Sequence, residues 1–301
     1  MKTLTSAADL SRDDLDRIVH RALEYAATLD SGETPSPVLQ DRVVANIFFE
    51  PSTRTRMSFE LAAKRLGAHV LTFHPETSSA VKGESVRDTV MTIVSIGADI
   101  LVVRHENEGL PQAMHEWTGV PVLNAGDGAG EHPTQALLDA ATLVTRFGEV
   151  AGLKIGIVGD IGHSRVAGSL VRVMPTLGAE VMFIGPDGLL PELTPDGIVT
   201  SADLDSVLPT LDVVYLLRVQ KERGALAGPN YEDRFTMDLR RSSLMKPEAV
   251  IMHPGPMNRG VEIAADVADG PRSLILSQVR HAVPTRMAVL AEVAGSFGGS
   301  R

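Results

Sequence analysis

The run Ser52-Thr53-Arg54-Thr55-Arg56 interleaves hydroxyl side chains with two guanidiniums directly after Glu50-Pro51. An apolar stretch, Val43 to Phe49, precedes it and a helix-like run ending at Gly67 follows, so the segment reads as strand, tight turn and helix start. Pro51 stops the strand and Ser52 is a good N-cap residue. The backbone N–H groups of Thr53, Arg54 and Thr55 then point outward at the positive end of the helix dipole. A guanidinium fork matches oxygens in pairs, so the cluster suits a phosphate or a carboxylate. The plainer alternative is a capped helix with solvated arginines. Two cations in one first turn oppose the dipole, however, and with hydroxyls between them the anion site is the better account.

Other polar residues fall at matching places. Arg54 follows the first predicted strand, Arg104 ends Asp99–Val103, His132 follows Val120–Asn124, Arg165 follows Lys154–Val158, Arg218 follows Leu211–Leu217 and His253 follows Ala249–Met252. Val70–Phe73 and Glu180–Ile184 are further strands, and helical spacing recurs between them: Asp9–Leu29, Val86–Gly97, a face marked by Leu110, Met114 and Trp117, His132–Phe147 and Val166–Leu177. Thr77–Ser85 reads as an exposed loop, Gly126–Gly130 as a glycine-rich loop and Gly185–Ser201 as irregular surface. Ser273–Phe297 reads as two helical pieces broken at Pro284. The alternation defines an α/β protein of two doubly wound parallel sheets, residues 1–134 with 279–301 and residues 135–278. Open parallel sheets bind ligands beyond the carboxyl ends of their strands, so these side chains are expected to line an interdomain active-site cleft.

Composition narrows the chemistry. The chain has 301 residues, a formal charge of −10 and no cysteine. Nucleic acid and anionic membrane are poor partners for that charge, and thiolate metal sites, disulfides and cysteine nucleophiles are excluded. Met1-Lys2-Thr3-Leu4-Thr5 leads into polar residues, and no apolar run reaches about 18 residues, so a cytoplasmic setting is expected. There is no Gly-x-Ser-x-Gly elbow, no His-Glu-x-x-His zinc motif and no P-loop. Gly156-Ile157-Val158-Gly159-Asp160-Ile161-Gly162 has the wrong spacing for a dinucleotide loop. What remains is a set of hydrogen-bond donors with neither metal nor cofactor, suited to transfer of an activated group by positioning and electrostatics.

Ser52-Thr53-Arg54-Thr55-Arg56 together with His132-Pro133-Thr134-Gln135 resembles the carbamoyl-phosphate signature of the transcarbamylases. Gly159-Asp160 followed by Arg165, and Arg218-Val219-Gln220-Lys221-Glu222-Arg223, resemble the branch of that family whose acceptor is aspartate. The likeness runs from about Asn46 to Arg286. It implies transfer of the carbamoyl group of carbamoyl phosphate to the amine of L-aspartate, giving N-carbamoyl-L-aspartate and phosphate, in de novo pyrimidine biosynthesis. By the same resemblance, Ser52, Thr53, Arg54 and Thr55 hold the phosphate, while Thr55, Arg104, His132 and Gln135 hold the carbamoyl end. Arg165, Arg218 and Gln220 take the carboxylates of aspartate, and Pro254 and Gly255 offer carbonyls to its amine.

The segment Ser78-Ser79-Ala80-Val81-Lys82-Gly83 resembles the loop that relatives extend into a neighbouring subunit's site, with Ser78 and Lys82 as contacts. That implies a homotrimer with shared active sites, and leaves a regulatory chain or a dihydroorotase partner open. His253-Pro254-Gly255-Pro256-Met257-Asn258-Arg259 departs from relatives that place Leu between the prolines and Arg directly after them, so no catalytic role passes to Arg259. Arg56 is expected to be a structural ion-pair partner of Glu50. The rival acceptor is ornithine, but the cysteine typical of that branch is missing and the Arg218–Arg223 run favours an acidic acceptor. A non-catalytic phosphate-binding module is the other rival, and His132 and Lys82 argue against it.

Overall fold

The computed structural model describes residues 1–78, 83–219 and 231–295. The chain divides into two compact units, Met1–Ala141 with the C-terminal segment from Val279, and Thr142–Gln278. Both are parallel α/β units.

The first unit is built on β1 (Val43–Phe48), β2 (His69–Phe73), β3 (Ile100–His105) and β4 (Val122–Asp127) in the order β2-β1-β3-β4. Every pairing is parallel. The two central strands read as nearly continuous apolar runs because both their faces are covered. Around them lie α1 (Arg12–Asp30), α2 (Thr53–Arg65), α3 (Val86–Ile96), α4 (Leu110–Thr118) and the start of α5 (Pro133–Phe147). Ala45, Ile47, Leu101 and Val103 pack with Val90, Met114 and Val122 into one buried cluster. β4 extends through Gly126-Asp127, which the composition suggested were loop. Asp127 pairs with His105 across a register shift and bridges Glu131, so backbone pairing outweighs the glycine signal.

The second unit carries β5 (Lys154–Val158), β6 (Glu180–Ile184), β7 (Val199–Ser201), β8 (Val213–Leu216) and β9 (Val250–Met252) in the order β7-β6-β5-β8-β9. Its helices are α6 (Arg165–Thr176), α7 (Leu204–Val207), α8 (Tyr231–Phe235), α9 (Leu239–Leu244) and α10 (Ala265–Ala268). β7 lies within the stretch expected to be irregular. It is a short, mostly exposed edge strand, and its pairing to Met182–Ile184 is a tertiary contact that its own Gly- and Pro-rich flanks conceal.

α11 (Ile275–Ala294) is one helix, not the two pieces that Pro284 suggested. A mid-helix proline costs about 3 kcal/mol. Met287, Ala288, Val289, Leu290 and Val293 are buried on its C-terminal side and Ala282 on the other, and that burial outweighs the lost hydrogen bond. Leu101, fully buried in β3, tests the core directly: Leu101→Ala should lower stability by about 2–5 kcal/mol in urea unfolding, with the m-value unchanged.

Candidate active site

In the first unit the polar side chains stand at the carboxyl ends of β1, β3 and β4, which are neighbours in the sheet. Phe49 N–H still donates to the Arg104 carbonyl at 2.9 Å, which carries the ladder one residue past β1. The chain then turns through Glu50-Pro51 into α2, with Ser52 at the N-cap position in extended conformation.

Ser52 does not behave as the sequence suggests. Its side chain makes no capping hydrogen bond, whereas Ser11, Ser85 and Ser164, at the same position of α1, α3 and α6, each accept from an amide of the first turn. Helix geometry leaves the first amides of α2 without intrahelical partners, and no serine oxygen closes over them. The first turn also has no acidic residue. The start of α2 is therefore an uncapped positive pole, which favours an anionic ligand.

Arg54 adds to that pole. Desolvation by surrounding protein draws its pKa down from the ordinary guanidinium value, although the side chain reaches solvent. No carboxylate faces it among the described residues, so the cation lacks the counter-charge that the environment calls for. Thr53 is exposed beside it, and Thr55 is buried with Oγ1 3.5 Å from His132 Nε2. The first turn of α2 and the histidine of the second signature thus meet at Thr55. His132 itself lies at the start of α5, its carbonyl accepting from the Gln135 N–H at 2.9 Å. The Gln135 side chain donates through Nε2 to buried Asp139 at 3.0 Å. One of the two amide N–H groups is thereby committed, and Gln135 can offer a ligand its oxygen, an acceptor for an amide N–H, as well as the second N–H.

Arg104 pairs through Nε with Glu50 Oε2 at 3.2 Å. The ion pair found at Glu50 is therefore with Arg104, where Arg56 was expected, because Arg104 stands opposite Phe48 in the register and Glu50 follows two residues on. Ser78 closes a 3-10 turn, its hydroxyl donating to the Pro75 carbonyl at 2.9 Å. Lys82 lies outside the described residues, as does Gln220.

Beneath this surface is a residue that sequence reading did not single out as functional. Arg286 of α11 is fully buried, lies 4.9 Å over the Phe59 ring and donates through Nη1 to Ser58 Oγ. Ser58 in turn reaches the carbonyls of Arg54 and Thr55. Burial, followed by the charge of Arg104, pushes Arg286 down to about 9, with Asp139 acting in the opposite sense. The available signal was an arginine directly before an apolar run, Met287 to Ala291.

The second unit repeats the plan at β5, β8 and β9, again neighbours. Gly159 follows β5 with φ +114°, and a Cβ there would stand 2.7 Å from the Leu217 carbonyl, so only glycine lets β5 and β8 end side by side. Asp160 is fully buried and 2.7 Å from His163 Nδ1, and Ser164 caps α6, setting Arg165 in its first turn. Arg218 follows β8 and is half-buried. After β9 come Pro254-Gly255-Pro256, in which Gly255 has the sole backbone N–H, already donated to His253 Nδ1 at 2.8 Å. The tripeptide can offer a ligand only carbonyls. Among the described residues no group of three His, Cys, Asp or Glu side chains could hold a metal ion.

An anion-directed helix start on one parallel sheet, and arginines beside an acceptor-only loop on another, define a two-domain α/β group-transfer enzyme. Family models match both halves. Residues 2–145 match the carbamoyl-P binding domain, and residues 151–293 the Asp/Orn binding domain, of aspartate/ornithine carbamoyltransferases. The chain is 49% identical over 297 residues to the aspartate carbamoyltransferase catalytic subunit of Acidothermus cellulolyticus, covering 96% of this chain and 91% of that one. It is 44% identical to the same subunit of Opitutus terrae, covering 97% and 95%. Among solved structures, aspartate transcarbamoylase from Trypanosoma cruzi in complex with N-(phosphonacetyl)-L-aspartic acid superposes with TM-score 0.89 at 35% identity, over 97% of this chain and 95% of that one. The catalytic subunit of M. jannaschii aspartate transcarbamoylase does so with 0.87 at 34% identity over the whole of both chains. The protein belongs to the aspartate/ornithine carbamoyltransferase family.

Inorganic phosphate should bind the wild-type chain, and Arg54→Ala should weaken that binding about 10- to 100-fold in equilibrium dialysis, as expected for loss of a charge-assisted contact.

Proposed function

We propose that the chain transfers the carbamoyl group of carbamoyl phosphate to L-aspartate, the carbamoylation step of de novo pyrimidine biosynthesis. The observation that carries this reading is the uncapped start of α2, with Arg54 in its first turn and Thr55 Oγ1 3.5 Å from His132. A phosphate held at Ser52, Thr53 and Arg54 sets the carbamoyl carbonyl against Thr55, His132 and Arg104. The Gln135 oxygen receives the carbamoyl N–H.

The aspartate amine attacks the carbonyl carbon, and negative charge grows on the carbonyl oxygen. Donors fixed in advance around that oxygen are most effective in the tetrahedral state, where the charge is greatest. The bond from carbon to phosphate oxygen then breaks. The departing phosphate keeps that electron pair and takes the amine proton, so no side-chain base is required. Arg165, Arg218 and Gln220 bind the two carboxylates of aspartate as forks to oxygens. The carbonyls of Pro254 and Gly255 receive the amine, and an acceptor-only loop repels carboxylates from that position. Glu50, paired with Arg104, orients that guanidinium.

Aspartate is favoured over ornithine as acceptor. Aspartate transcarbamoylase from Trypanosoma cruzi in complex with carbamoyl phosphate and aspartate superposes with TM-score 0.88, and Arg165 and Arg218 follow β5 and β8 in this chain. Supplied with carbamoyl phosphate, the enzyme should form carbamoyl aspartate and phosphate, and product with ornithine alone would sink the assignment. His132→Ala should lower kcat about 100- to 1,000-fold, the usual cost of one oxyanion donor.

The working form is proposed to be a cytoplasmic homotrimer in which Ser78 and Lys82 complete a neighbouring subunit's site. Lys82→Ala should abolish activity without unfolding the chain. Mixing it with His132→Ala under conditions that exchange subunits should restore part of the activity, since hybrid trimers would contain sites free of either change. No recovery in proven hybrids would argue for self-contained sites.

A further inference from the structure

The loop after β9 is tied from below by a buried imidazole and carboxylate. His253 and Glu262 are each 1% exposed, and His253 Nε2 lies 3.2 Å from Glu262 Oε1. Gly255 donates its N–H to His253 Nδ1 at 2.8 Å, so Nδ1 is an acceptor and the ring proton sits on Nε2, directed at the carboxylate. The same Oε1 accepts the Asn258 N–H, and the backbone N–H of His253 donates to Gln278 Oε1 at 2.9 Å. One end of the loop at Gly255 and the other at Asn258 thereby converge on a single histidine–glutamate unit.

A pair of this kind does little for stability. Burying ionisable partners gains little or nothing over apolar residues of the same volume, and Glu262 Oε2 is buried with no hydrogen-bond partner among the described residues. What the pair fixes is shape. Gly255 has φ +66°, a left-handed conformation that sets the peptide planes on either side of it and so the directions of the Pro254 and Gly255 carbonyls. The Gly255 bond to Nδ1 holds that conformation, and the Glu262 bond to Nε2 holds the ring that accepts it. Neither side chain need touch a substrate.

We infer that His253 and Glu262 are positioning residues for the acceptor amine, acting through the backbone of residues 254–258. The inference rests on the proposed carbamoylation of aspartate and extends it to residues outside the substrate contacts. Because Pro254 and Gly255 stand in the unit that carries Arg165 and Arg218, the effect should fall on aspartate and spare carbamoyl phosphate.

The test compares Glu262→Ala, Glu262→Gln and His253→Asn as full-length enzymes, with thermal melts alongside the kinetics. Glu262→Ala should raise the KM for aspartate about tenfold or more, the worth of one or two lost hydrogen bonds, while the KM for carbamoyl phosphate stays within about twofold. Glu262→Gln keeps an oxygen for the Asn258 and His253 donors and should return the aspartate KM to within about threefold of wild type. His253→Asn can still accept from Gly255 but loses the Glu262 bond, and should fall between them. Where the alanine variant does not fold, the asparagine and glutamine variants carry the same comparison. An unchanged aspartate KM in Glu262→Ala and His253→Asn overturns the inference. So do equal rises for both substrates, or a glutamine variant as impaired as alanine. A wild-type enzyme active on aspartate with unaffected variants defeats only the pair's role, whereas a wild-type enzyme that makes no carbamoyl aspartate defeats the underlying function as well.

Discussion

The open first turn of α2 is the constraint on which the rest of the first unit depends. A serine cap is worth about 0.5–2 kcal/mol to a helix, and Ser11, Ser85 and Ser164 supply such caps elsewhere in this chain. Ser52 does not, and Arg54 and Arg56 in the same turn work against the dipole. A helix start in that state needs support from the far side. It comes from Phe59, Ala62 and Ala63 buried beneath the helix, and from Ser58 reaching back to the carbonyls of Arg54 and Thr55. The turn is held rigid by its packed face while its amide face is left to a ligand.

The two units solve the same geometric problem with different chemistry. In each, neighbouring parallel strands end together and the polar groups occupy the turns just beyond them, where strand ends converge and helix starts point at the ligand. The first unit fills those turns with donors, as a phosphate and a developing oxyanion require. The second places arginines beside a Pro-Gly-Pro loop that has only acceptors to give. On the proposed reading, carboxylate and amine are told apart by hydrogen-bonding sense.

Much of this was legible in the sequence because it is local. The alternation of strand and helix, the turn at Pro51, and the placement of Arg54, Arg104, His132, Arg165, Arg218 and His253 at strand ends all follow from periodicity and punctuation over short windows. What escaped is what distance in the chain conceals. Ser52 lacks the acidic residue three positions on that Ser11 and Ser85 have in Asp14 and Asp88, but that difference does not by itself say that its hydroxyl leaves the helix uncapped, since Ser164 caps α6 without one. Pro284 looks like a break until the burial of Met287 to Val293 is counted, and β7 exists only through its pairing with β6. Glu50 finds Arg104 through strand register, where a neighbour in sequence had seemed the natural partner. The His253–Glu262 pair is separated by only 9 residues, yet its meaning depends on which ring nitrogen accepts from Gly255, and that is a matter of three-dimensional geometry.

Arg286 and Ser58 lie 228 residues apart. A ribosome adding roughly 5–20 residues per second takes on the order of 10–45 s to travel from one to the other. From the addition of Gln135 until the end of that interval the nascent chain carries Ser52 to Gln135 but lacks the guanidinium on which Ser58 and the α2 turn come to rest. The first turn of α2 is thus among the first parts of the protein to be synthesised and among the last to be finished.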